Sequence, residues 1–153
     1  MTSNSGNGHM QRALRLAGEA AARGEVPVGA VIVSGAGEVL AEASNRTREQ
    51  NDPTAHAEML AIRAACARLD DERLTGCDLY VTLEPCPMCA AAISFARIRR
   101  LYFGACDPKG GAVVSGPRLY TLPTCHHAPE VYEGIGEVES SALLKGFFRA
   151  RRG

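Results

Sequence analysis

An excess of either charge sign is missing from this chain of 153 residues, in which 17 lysines and arginines face 17 aspartates and glutamates. No global field therefore points to nucleic acid or to an anionic membrane, and any such contact must come from a local patch. Long apolar runs are missing as well. The longest stretches, such as residues 28–33 and 90–93, fall far below the roughly 18–20 residues that a membrane span needs, which excludes a transmembrane helix. The first nine residues carry Ser, Asn and Gly with neither a cationic start nor an apolar stretch, so they do not read as a secretory leader and are expected to form a disordered tail. No internal repeat or linker divides residues 10–153, so one domain is expected, long enough to bury roughly two-thirds of its unfolded surface. With 46% hydrophobic and 22% charged residues, the chain is not disordered as a whole.

Cysteine, by contrast, is plentiful: Cys66, Cys77, Cys86, Cys89, Cys106 and Cys125. In a chain without a leader the expected setting is a reducing cytoplasm, where clustered cysteines mean metal or catalysis and not disulfides. Apolar residues at helical spacing over 10–23, with Gly24 following, predict a first helix. Residues 26–33 and 38–44, flanking Gly35-Ala36-Gly37, predict a hairpin. A helix is expected over about 54–69, a strand over 78–83, a helix through 88–96 after Pro85 and Pro87, and a strand over 99–104. Residues 105–128 are rich in Gly and Pro and long for a structureless connection, which marks a functional loop. A short strand at 131–133 and an amphipathic helix over 137–152 complete an α/β order of strands and helices.

The sharpest signal is His56-Ala57-Glu58, then, after 29 intervening residues counted from His56, Cys86-Pro87-Met88-Cys89. One imidazole and two thiolates make a zinc set, and three protein ligands leave the fourth tetrahedral position to water, the mark of a catalytic site. Cys86 and Cys89 at the start of a helix share a face, and the positive helix end favours their thiolates. Zinc with two thiolates and a neutral imidazole is formally neutral and acidifies water less than an all-histidine site, so a neighbouring base is useful. Glu58 is the candidate, although on a regular helix it would point roughly 200° away from His56. Two other readings stand beside this one: a closed structural site whose fourth ligand is His126, His127, Cys106 or Cys125, and a dithiol redox pair.

These residues resemble the zinc-dependent cytidine deaminase-like superfamily, with its His-x-Glu and Pro-Cys-x-x-Cys signature. Within it the chain is similar to the bacterial tRNA-specific adenosine deaminases along Glu25-Val26-Pro27-Val28-Gly29-Ala30-Val31, Asn45-Arg46, Asp52-Pro53-Thr54-Ala55-His56-Ala57-Glu58, Leu79-Tyr80-Val81-Thr82-Leu83-Glu84-Pro85-Cys86, Met88-Cys89-Ala90, Phe103-Gly104-Ala105 and Phe147-Phe148-Arg149. The resemblance implies a three-layer α/β/α sandwich with a mixed five-stranded sheet and a homodimer with active sites near the subunit interface. It also implies one Zn2+ per subunit on His56, Cys86 and Cys89, with no organic cofactor and no membrane. The implied activity is hydrolytic deamination of adenosine to inosine at wobble position 34 of a tRNA, with Glu58 moving the protons. On the same footing Asn45 binds the target nucleotide, the Ala57 amide steadies the new oxygen, Val26 and Pro27 wall the base, and Asp107 and Lys109 lie beside the anticodon loop. Asn45 also reads as a turn residue, Val26 and Pro27 as core, and Asp107 and Lys109 as solvated surface charges.

Contact with RNA must come from local charge. Lys145, Arg149, Arg151 and Arg152 form a basic patch beside Phe147 and Phe148, which can stack on bases, although on an amphipathic helix at least one of the two is expected inside. Arg97, Arg99 and Arg100 form a second basic cluster. The zinc motif alone serves two rival functions: deamination of a free base or small nucleoside such as guanine or cytosine, and a non-catalytic zinc-stabilised RNA-binding subunit, whose expected mark is a replaced glutamate. Where many relatives carry an Asn-His-Arg run, this chain reads His126-His127-Ala128.

Overall fold

The computed structural model describes residues 2–152, with side chains from Gly8 to Arg151. Five strands, β1 (Gly29–Val33), β2 (Val39–Ser44), β3 (Asp78–Leu83), β4 (Arg100–Ala105) and β5 (Glu130–Tyr132), alternate with α1 (Thr2–Ala22), α2 (Ala57–Leu69), α3 (Pro87–Phe95) and α4 (Glu137–Arg152). They form one sheet in the order β2-β1-β3-β4-β5. β1 runs antiparallel to β2 and β3, while β3, β4 and β5 are parallel. The sheet is mixed, as the resemblance implies.

Strand alternation sorts two cores. Ala30 and Ile32, Leu79 and Val81, Leu101 and Phe103 face one side, where they pack with Ala57, Ala61, Ile62 and Ala65 of α2 and Ala90 and Ile93 of α3. Val31, Val33 and Tyr80 face the other, with Met10, Ala13 and Leu14 of α1 and Leu143 of α4. Because both faces are covered, every residue of β1 is buried, which explains its continuous apolar run where a half-exposed strand would alternate. On the α1 side Tyr80, Tyr102 and Tyr132 sit in register across β3, β4 and β5. Their rings stack with centroids 4.5 and 4.9 Å apart.

α1 approaches β1 so closely that a Cβ on Gly29 would overlap the Ala13 carbonyl. Its backbone is helical from Thr2, well before the Met10 that periodicity marks. Apolar spacing reports the buried part of a helix and not its end: Met10 is buried, and His9 lies tilted on Tyr80, ring centroids 5.1 Å apart. The tail expected over residues 1–9 includes Met1, which lies outside the described residues. Strands expected from residue 26 and from residue 99 begin at Gly29 and Arg100, and the helix expected from residue 54 begins at Ala57. Pro27 and Pro53 precede the first and last of those starts, and the chain around proline favours extended or turn backbone. Among the described residues no helix is long and apolar enough to cross a membrane.

Candidate metal centre and the pocket above it

α2 and α3 both begin beneath the same end of the sheet. His56 is the residue preceding the first turn of α2, with extended backbone (φ −73°, ψ 152°). Cys86 occupies the matching place on α3 (φ −73°, ψ 172°), with Pro87 at the first helical position, where a missing N–H costs nothing. Since His56 stands outside the helix, the helical separation that would set it and Glu58 roughly 200° apart does not apply. Both line one pocket with Cys86.

His56 Nδ1 lies 3.7 Å from Cys86 Sγ and 3.5 Å from Cys89 Sγ. A tetrahedral zinc with Zn–N of about 2.0 Å and Zn–S of about 2.3 Å spaces its nitrogen and sulfur ligands about 3.5 Å apart, so the donor set fits the ion in type and in spacing. Among the described residues His56, Cys86 and Cys89 are the one group of His, Cys, Asp and Glu so gathered. The four residues considered as a closing fourth ligand lie elsewhere. The His127 ring bonds the Ile98 carbonyl at 2.7 Å, Cys125 bonds Ser94 and the His127 carbonyl, and Cys106 and His126 are exposed. The site is therefore an open three-ligand centre.

The electrostatics of the centre suit a cation. The Cys86 thiol is held down to about 4, first by the hydrogen bond from Cys89 and then by His56. That same bond and burial push the Cys89 thiol up. Burial lifts the Glu58 carboxyl to about 7, its own backbone N–H opposes this, and the Cys86 charge adds to it. Glu58 is 4% exposed, a buried acid whose proton affinity lies near neutrality, as a group that both takes and gives protons requires.

The pocket has a volume of about 300 Å³ and is lined by Val26, Val28, Asn45, Thr47, Leu83, Glu84, Asp107 and Gly110 around His56, Glu58 and Cys86. Of the residues singled out from sequence, Val26, Asn45 and Asp107 thus meet the metal ligands and Glu58. Pro27 is buried and does not line the pocket. The Ala57 N–H donates to Asn45 Oδ1 at 3.1 Å, so the amide assigned by resemblance to the new oxygen is engaged by Asn45 in this structure. That bond leaves the carboxamide nitrogen of Asn45 as the donor for a ligand. Arg23 steadies the same stretch through Ser44 Oγ and the Asn45 carbonyl at 2.8 and 3.1 Å.

Val26, Leu83 and Asp107 are shared with a second, larger cavity of about 650 Å³ whose other walls are Cys106, Lys109, Leu144, Lys145, Phe148 and Arg149. The pocket therefore opens into a basic groove along α4. Phe148 is 45% exposed, while Phe147 is half-buried, edge-on to Phe148 and beneath the Arg151 guanidinium at 4.5 Å. Arg151 also donates to the Gly24 carbonyl at 2.5 Å, so it ties α4 to the turn after α1 and is not among the residues that line the groove. The second basic cluster is neutralised in part: Arg99 pairs with Asp78 at 3.1 Å and Arg100 with Glu130 at 3.6 Å.

Two buried acids escape the sequence reading. Glu25, 2% exposed, accepts the N–H groups of Arg48 and Glu49 at 3.2 and 2.8 Å and so holds the loop after Asn45. Glu84 gathers the loop after Asp107 on the other side of the pocket. Its burial opposes ionisation, but backbone N–H groups, that of Asp107 foremost, and the Ser115 hydroxyl outweigh it and hold the carboxyl below its ordinary value.

Residues 3–105 match the family described as the cytidine and deoxycytidylate deaminase zinc-binding region. Over 143 residues the chain is 64% identical to the tRNA-specific adenosine deaminase of Agrobacterium fabrum, covering 94% of this chain and 93% of that protein. A solved structure from work on A-to-I editing by tRNA:A34 deaminases superposes with a TM-score of 0.87 at 64% identity, covering 89% of this chain and 98% of the other. A guanine deaminase from Bacillus subtilis superposes with a TM-score of 0.62 at 45% identity, covering 64% of this chain and 62% of the other. This chain therefore belongs to the cytidine and deoxycytidylate deaminase zinc-binding family.

Proposed function

We propose that this protein hydrolytically deaminates adenosine to inosine at wobble position 34 of a tRNA, as a zinc-dependent homodimer in the cytoplasm. The observation that carries the reading is that the pocket over His56, Glu58 and Cys86 shares the walls Val26, Leu83 and Asp107 with a groove bearing Lys109, Lys145, Phe148 and Arg149. A free base needs only the pocket. A nucleotide held in a strand also needs cations for its phosphates and a ring face for neighbouring bases, and the groove offers both. The 64% identity to a tRNA-specific adenosine deaminase supports the same substrate.

His56, Cys86 and Cys89 would hold the zinc, which when bound would make water more acidic. Glu58 takes a proton from the attacking water and passes it to N1 of adenine as C6 becomes tetrahedral. It then takes the proton of the new C6 hydroxyl and delivers it to the amino group as the C6–N bond breaks and C6=O forms, so inosine and ammonia result. Asn45, with its oxygen committed to Ala57 N–H, offers its NH2 to the target nucleotide. Val26 and Leu83 pack on the base faces, Asp107 and Lys109 stand at the mouth, and Lys145 and Arg149 meet phosphate. The non-catalytic reading lacks its expected mark, because Glu58 is present and lines the pocket.

The homodimer rests on the resemblance and on an unpartnered apolar area at the far end of α3, where Phe95 is 78% and Leu122 41% exposed. The cytoplasmic setting is supported by six cysteines that are all free. Ammonia release and inosine formation on an anticodon stem-loop with adenosine 34, in parallel with free adenine, guanine, cytosine and their nucleosides, tests the reading. Turnover confined to the stem-loop is expected, and turnover confined to a free base overturns the RNA substrate.

A further inference from the structure

Glu84 is 2% exposed, stands directly before Pro85 and Cys86, and has no part in the proton transfers above. Among the described residues its carboxylate partners are backbone N–H groups and one hydroxyl, all from one loop. Oε1 accepts Asp107 N–H at 2.8 Å and the Ser115 hydroxyl at 2.9 Å. Oε2 accepts the N–H groups of Val113, Val114 and Ser115 at 3.0, 2.9 and 2.9 Å. Two backbone bonds flank this clasp, Glu84 N–H to Ala105 O at 2.9 Å and Ala112 N–H to Pro85 O at 3.0 Å. Gly111 is part of the fit, since a Cβ there would lie 2.6 Å from Glu84 Oε1 and 2.7 Å from the Asp107 carbonyl.

The loop has no strand to pair with, so a buried acceptor is what satisfies its N–H groups. The acceptor is built into the chain two residues before a metal ligand, while the loop it gathers carries Asp107 and Gly110 into the pocket wall. We infer that Glu84 is a positioning residue: its carboxylate sets the 107–115 loop in register with the metal ligands and so places the wall of the substrate pocket opposite His56 and Glu58. The inference rests on the pocket being the substrate site, as proposed above.

Replacing Glu84 by glutamine keeps size and burial but turns one acceptor into a donor. In the orientation that loses least, the amide oxygen stays with Val113, Val114 and Ser115, the Ser115 hydroxyl turns to accept, and the Asp107 N–H is left facing an NH2 group. Amide hydrogen exchange and steady-state kinetics on zinc-loaded Glu84→Gln, with the adenosine-34 stem-loop as substrate, read this directly. The expected result is unchanged zinc content, exchange at the Asp107 amide faster by about tenfold or more, KM raised by about fivefold or more, and kcat within about twofold of the parent, the pattern of lost ground-state positioning. Gly111→Ala, which leaves the carboxylate in place and pushes the loop off it, is expected to give the same KM-against-kcat split and serves if Glu84→Gln does not fold. An unchanged KM with either variant, unchanged protection at Asp107 in Glu84→Gln, or a fall in kcat that tracks lost zinc overturns the inference. Should the parent protein turn over a free base and not the stem-loop, the wobble reading fails by itself, and the same split measured on that base decides the role of Glu84.

Discussion

Asn45 Oδ1 accepts the Ala57 N–H at 3.1 Å, which ties the loop after β2 to the first turn of the helix that carries Glu58. One carboxamide thus holds a helix N-terminus with its oxygen and keeps its nitrogen for the pocket. Asn45→Ala removes both, and is expected to cost about 1 kcal/mol of stability and about 10- to 100-fold in kcat/KM. Asn45→Asp retains the acceptor for Ala57 and loses the donor, so it is expected to recover most of the melting temperature and none of the activity. Thermal melts beside kinetics on the two variants separate the functions, and a fully active Asn45→Asp contradicts the role given to the NH2 group.

Lys145 and Arg149 face the groove, whereas Arg99 is paired with Asp78. Replacing either groove cation by alanine is expected to weaken stem-loop binding and to shrink the slope of log affinity against log salt by roughly one phosphate contact. Arg99→Ala is expected to leave the slope alone. Binding titrations at several salt concentrations check this, and equal slopes for all three variants contradict the assignment of the groove.

His9 lies against Tyr80, and its pKa is lowered from 6.5, by burial first, with Arg12 adding and Asp78 opposing. Since the folded value lies below the unfolded one, the unfolded chain binds more protons between the two. The contribution of the neutral ring is therefore complete above pH 6.5 and is lost as pH falls through the folded value. Melting temperatures at pH 7.5 and 5.5 are expected to fall further for the parent than for His9→Phe, and parallel falls contradict the linkage.

Much of this molecule is legible in its amino-acid order. β3 and α4 occupy the residues expected of them, because Asp78–Leu83 and Glu137–Arg152 combine clear periodicity with clear ends. The donor trio is legible too, since a His-x-Glu and a Pro-Cys-x-x-Cys carry chemistry that few other uses explain. Sequence spacing misleads on His56 and Glu58, because His56 sits before the helix and its backbone is extended. It does not show that Arg99 and Arg100 are spent on ion pairs, nor that Arg151 is turned onto Gly24, since partners distant in sequence decide whether a charge is free. Glu25 and Glu84 escape for a related reason: a buried acid whose partners are backbone N–H groups leaves no pattern of side chains to read.

At the centre of the proposed chemistry, a buried carboxylate beside an open zinc site moves the protons of adenosine deamination. The most direct test is the initial rate of inosine formation at adenosine 34 of a stem-loop, measured for the parent protein and for Glu58→Gln at matched zinc content. Glu58 handles substrate protons and does not bind the metal, so the variant is expected to hold the same zinc and to lose about 10²- to 10⁴-fold in turnover. A zinc-loaded Glu58→Gln that forms inosine at the parent rate contradicts this role.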